Sequence, residues 1–143
     1  IEMVQYETAE EALRYFVTHH LMHSEDKRSW PMRVWAREVT ATPSANLLAM
    51  ARKIGVVRIK ALQQFFADYL GIEDYRDTRV GAAFITTMSA VLIHMLIAHE
   101  LRNIVIPGFE KEPEKMRELI VRQVMAGLAA RRDEIAREKA SAG

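Results

Sequence analysis

Residues 80–99 read VGAAFITTMSAVLIHMLIAH, twenty positions without an Asp, Glu, Lys or Arg. At about 1.5 Å per residue a helix of that length can cross a bilayer, so its surroundings must be decided first. Its first half is small and weakly hydrophobic (Gly81, Ala82, Ala83, Thr86, Thr87, Ser89, Ala90), and His94 interrupts the second half. Those residues argue against a membrane span. A helix apolar on nearly every side is otherwise central to a large core or covered on two sides at once. A chain of 143 residues has only a modest interior. One face is therefore expected to pack on its own subunit and the other on a second copy, which predicts an all-α homodimer.

Composition bounds the remainder. Half the residues are apolar and the length suits one domain, so residues 1–143 are read as a single helical domain with a real core. The formal net charge is +1 and the charges are interspersed, which leaves no broad basic field for nucleic acid or anionic lipid. With no Cys, disulfides, thiol catalysis and thiolate metal sites are excluded. No signal peptide is visible in the first ten residues, which carry Glu2, Glu7 and Glu10, and the cytoplasm is the expected compartment. The chain begins with Ile1 rather than Met, so a segment upstream is expected.

Working outward from residues 80–99, the periodicity predicts about five helices and no strand. Thr8 with Glu11 three positions later forms a capping box, and Ala12, Leu13, Phe16, Val17 and His20 share a face of the helix that follows. A polar loop over 24–29 precedes a short helix opened by Pro31, with Met32, Trp35 and Val39 inward. Thr42 suits an N-cap and Pro43 the first helical position of a long helix over 44–70, which Gly71 stops. Residues 80–99 belong to the next helix, starting near Asp77. Pro113 opens the last, with Met116, Leu119, Ile120, Val124, Leu128 and Ile135 at helical spacing. Its end, 131–139, is densely charged and is expected to be solvated or frayed.

Few residues suggest chemistry. His19 and His23 are four apart, a spacing able to hold a metal, with His20 between them. Two imidazoles are an incomplete site and no Glu-x-x-His pattern accompanies them, so no metal or other cofactor is expected. No nucleophile elbow, phosphate loop or dinucleotide fingerprint is present, and no catalytic residue is assigned. Arg58, flanked by Ile54 and Leu62 on one face, would demand a partner if buried. Phe84, Met88, Leu92 and Met95 form one stripe of the uncharged helix, while Thr86, Ala90, Ile93 and Ile97 lie roughly opposite. In the last helix Gly127 sits among Ile120, Gln123, Val124 and Leu128. A helix-interior Gly costs around 1 kcal/mol against Ala, and close approach of another helix would compensate it. These two helices from each copy are expected to form a four-helix dimer interface through those nine residues.

The order of segments resembles the C-terminal ligand-sensing and dimerisation domain of TetR-family transcriptional regulators. The residues that carry the resemblance are Arg37-Glu38 followed by Thr42-Pro43-Ser44, the helix end Phe65-Phe66-Ala67-Asp68-Tyr69-Leu70-Gly71, the small-residue helix after Asp77, and the Pro-started final helix. The resemblance spans nearly the whole chain and is mainly one of layout. It departs from the family in lacking the N-terminal helix-turn-helix head; residues 1–7 read as the tail of the connector to it. The resemblance implies a cavity inside each subunit, lined by Phe16, His20, Trp35, Glu38, Ile54, Arg58, Leu62, Met88 and Leu92. It implies a small, mainly apolar effector, whose anionic group would meet Arg58, and a repressor whose operator binding that effector controls through the head. Two other classes remain open: a metal or enzyme domain using His19, His20 and His23 with Glu25 or Asp26, and a ligand-free helical interaction module.

Overall fold

The computed structural model describes residues 8–22, 44–50, 52–53, 56–96, 101, 104–109 and 111–143. Among them the chain is all-helical, with no strand. The first helix, α1 (Ala9–Met22), begins as its sequence predicts: the Glu11 backbone N–H donates to Thr8 Oγ1 at 3.2 Å. Leu13, Val17 and Leu21, spaced by four, put one fully buried stripe along it.

Of the long helix expected over 44–70, residues 51, 54 and 55 lie outside the described residues. Ala45–Met50 forms α2 and Val56–Leu70 forms α3, with the wider π-type turn at residues 52–53 between them. At its far end α3 stops as expected. Gly71 takes φ +68°, the Ile72 N–H donates to the Ala67 carbonyl at 2.9 Å, and the Gly71 N–H donates to Asp68 at 3.2 Å. This is a Schellman turn, closed by the buried side chains of Ile72 and Ala67.

Two Asp-x-Arg steps then carry the chain into α4 (Thr78–Leu96). Asp74 Oδ1 accepts the Arg76 backbone N–H at 2.9 Å and its guanidinium at 3.0 Å. Asp77 repeats the arrangement on Arg79 at 2.8 and 3.0 Å, and so caps α4. The buried line of α4 is Val80, Ala83, Thr87, Val91 and His94. It runs between the two stripes read from the sequence: Phe84 and Met88 are half-buried on one flank, Thr86 and Ile93 exposed on the other. Small residues form the seam because they let α4 approach its neighbours closely, while Phe84 reaches sideways to meet Phe66 edge-on, ring centres 5.8 Å apart. His94 is buried against the Phe109 ring at 5.1 Å.

The last helix, α5 (Pro113–Ala142), runs about 45 Å at helical rise. Val121, Met125, Leu128 and Ile135 are its buried positions, and Leu119, expected inside, is exposed. Of the expectation that 131–139 is solvated or frayed, the first part holds at most positions, with 133, 134 and 136–139 exposed, but the stretch is not frayed. Helix continues through it, Ile135 is fully buried, and Arg132 occupies the seam position between Leu128 and Ile135.

Helices α1, α3, α4 and α5 all pack on one another around one core. Their ends fix the topology. Arg132 of α5 lies 3.7 Å from Glu10 at the start of α1 and stands over the Tyr69 ring near the end of α3, 5.0 Å from its centre. Arg79, at the start of α4, reaches Glu138 of α5 at 3.4 Å, and Lys139 donates to the Gly71 carbonyl. Two helix starts and two helix ends therefore meet at one pole, an up-down-up-down bundle. Charge there follows the helix dipoles: Glu10 and Asp77 at N-termini, Lys139 at the C-terminus of α3. Among the described residues no helix is long and apolar enough to cross a membrane.

Candidate ligand cleft and dimer face

Near the other end of α1, that helix and α3 enclose a half-open cleft of about 200 Å³. It is lined by Ala12, Leu13, Tyr15, Phe16, His19, His20, Leu62 and Phe65. Positions 12, 13, 16, 19 and 20 fall on one side of α1 because the helical repeat returns every three to four residues, and Leu62 and Phe65 are one turn of α3. The cleft is aromatic. Tyr15 stacks on His19 with ring centres 5.4 Å apart, and Phe16 lies 4.2 Å from His20. His20 Nδ1 is 2.8 Å from the Phe16 carbonyl oxygen. A carbonyl only accepts, so Nδ1 carries the proton and donates, and the neutral ring keeps its lone pair on Nε2.

The structure brings Phe16, His20 and Leu62 together, three of the nine residues that the resemblance places on a cavity. Met88 is half-buried on α4 and is not among the described residues of the cleft. Trp35, Glu38 and Ile54 lie outside the described residues, as do the side chains of Arg58 and Leu92 on α3 and α4. His23, Glu25 and Asp26 of the metal alternative lie outside them too, and among the described residues no three metal-ligating side chains cluster. Sequence reasoning passed over Tyr15 and His19 as cleft residues. Their four-residue spacing was the available signal, but His19 was paired only with His23, for metal chemistry.

A second concavity lies between α4 and α5. Ala82, Ala83, Thr86 and Thr87 face Gln123, Val124, Gly127 and Leu128 across a groove of about 260 Å³, with Arg79 and Arg131 also lining it. Five of the nine expected interface residues line it: Thr86, Gln123, Val124, Gly127 and Leu128. Leu128 is buried in the chain's own core, and Gly127 is exposed with no atom of the described residues within 4 Å of where a Cβ would stand. Beside the groove α4 shows solvent an uncharged face, Ala82, Ile85, Thr86, Ser89 and Ile93, with Ile85 64% and Ile93 57% exposed. Ala90 and Ile120 are half-buried, and Ile97 lies outside the described residues.

Electrostatically the pole is the perturbed region. The Arg79 guanidinium and backbone N–H hold the Asp77 carboxyl down to about 2, and Arg76 lowers Asp74 in the same way. Burial raises the Tyr69 phenol, and the Arg132 charge beside it pulls partly the other way. In comparison with known proteins, no family model matches this chain, and no curated protein or solved structure matches it.

Proposed function

We propose that this chain is the effector-binding and dimerisation domain of a TetR-type transcriptional repressor. A small, mainly apolar molecule enters the α1–α3 cleft, and α4 and α5 of two copies form the interface. Operator DNA is contacted by a helix-turn-helix head joined ahead of α1, in the cytoplasm. The observation that carries the reading is a division of labour between helix pairs. The aromatic cleft with Phe16, His20 and Leu62 belongs to α1 and α3, while the uncharged exposed face belongs to α4, beside the groove it shares with α5.

An exposed run of Ile85, Thr86 and Ile93 on a helix with no charge after Arg79 is the kind of patch that a partner covers. Gly127 supports the same reading, because no group among the described residues fills the space above it. The mechanism is a population shift. An effector wedged against Phe16 and Leu62 favours one placement of α1 relative to α3. Because α1 also packs on α5, that placement biases the angle between two copies and so the spacing of their heads.

Native mass spectrometry of the purified chain tests the proposal. A dimer that carries a co-purified organic molecule, lost on denaturation, is the expected result. A bare monomer at micromolar concentration would remove both halves of the reading.

A further inference from the structure

Within the reading of the α1–α3 cleft as an effector site, on which this inference rests, the chemistry of the lining narrows the class of ligand. We propose that the cleft takes a small planar aromatic molecule bearing a neutral hydrogen-bond donor, a phenol-type hydroxyl, which donates to His20 Nε2.

Three observations converge. The volume, about 200 Å³, suits a single ring, since a dry apolar cavity of about 150 Å³ is enough for benzene. The walls are the rings of Tyr15, Phe16, His19 and Phe65 with Leu62, surfaces that favour a flat aromatic partner in offset or edge-on contact. The polar anchor is directional. His20 turns Nδ1 back onto its own helix, where it donates to the Phe16 carbonyl at 2.8 Å, so Nε2 is the outward nitrogen of a ring that lines the cleft. Among the described residues Nε2 has no hydrogen-bond partner. The Phe16 ring, 4.2 Å away, holds the imidazole in that orientation, so the acceptor is set before any ligand arrives.

No Lys or Arg is among the described lining residues. Against these described groups a carboxylate would exchange its hydration for ring surfaces and an imidazole lone pair, an unfavourable exchange. A hydroxyl loses little and gains one bond.

The test uses the whole chain, ¹⁵N-labelled, titrated separately with phenol, toluene and benzoate at about pH 8, where imidazole is uncharged. His20 should show a protonated Nδ1 and an unprotonated Nε2, with Nε2 shifting on phenol addition. Phenol should bind about tenfold more tightly than toluene, the worth of one well-placed hydrogen bond, and more tightly than benzoate. His20→Leu should erase the preference for phenol while leaving toluene affinity unchanged. If that variant does not fold, the ranking on the native chain decides alone. A protonated Nε2, equal binding of phenol and toluene, or tightest binding of benzoate overturns the donor assignment while leaving an effector cleft in place. Unmoved signals of Phe16, His20 and Leu62 with all three probes overturn the cleft as well.

Discussion

Asp77 uses one carboxylate for two purposes, capping α4 through the Arg79 N–H and clamping the Arg79 guanidinium at 2.8 Å so that it can reach Glu138. Its pKa in the folded chain, about 2, lies below the ordinary value of 3.8, so the unfolded chain takes up the proton first as pH falls. The stability that this group contributes is complete above about pH 4 and is lost as pH drops towards 2. Asp77→Asn should therefore lower the urea midpoint at neutral pH, and the gap from the native chain should close between about pH 4 and pH 2. A gap that stays constant across that window would show the charge to be irrelevant. Tyr69 offers an opposite reading of the same pole. Arg132 lowers its phenol while burial raises it, so Arg132→Met should push the Tyr69 titration, followed by ultraviolet absorbance, higher still. The loss of the cation over the ring should also cost about 0.5–1 kcal/mol. The sequence marked Asp77 only as a helix start and Tyr69 only as part of a helix end, because Asp-x-Arg is common and nothing local distinguishes a clamp from two solvated charges.

At the scale of elements, α5 shows why charge counting misleads. Residues 131–139 hold four Lys or Arg and three Asp or Glu around few apolar positions, which reads as a solvated or frayed tail. Yet Val121, Met125, Leu128, Arg132 and Ile135 alternate by four and three, so an arginine fills a seam position and hides the repeat. Its guanidinium escapes burial by lying across Tyr69, which leaves the methylene stem to pack. Ile135→Ala should then destabilise by about 2–5 kcal/mol in urea unfolding, the range for truncating a buried isoleucine. A frayed end would give almost no change. The caps at Thr8, Gly71 and Pro113 were legible because each rests on the chemistry of a single residue. The π-type turn at 52–53 was not, since the pattern of apolar positions runs on unbroken through it.

For the molecule as a whole, the uncharged stretch 80–99 points to the helical class, and its second apolar face is turned outward on α4 at Ile85 and Ile93. The cleft was only partly legible. Periodicity placed Phe16, His20 and Leu62 on inward faces, but which inward residues meet around a space depends on how helices distant in sequence pack. Ile93→Glu tests the outward face: at 57% exposure the side chain is not needed for the fold, so helicity by circular dichroism should persist. Sedimentation equilibrium should fall from the mass of a pair to that of one chain. If the native chain already sediments singly, the face has another use. The pole where Glu10 meets Arg132 also governs the order in which the chain assembles. Those residues stand more than a hundred positions apart, whereas α3 and α4 are joined by the short 71–77 turn. Closing the longer loop loses more entropy, so the α3–α4 hairpin forms early and α1 docks last. Hydrogen exchange should find the amides of α1 opening before those of α4. The cleft exists only once α1 is in place, so a molecule seated against Phe16 should prolong the life of the folded chain far more than it hastens refolding.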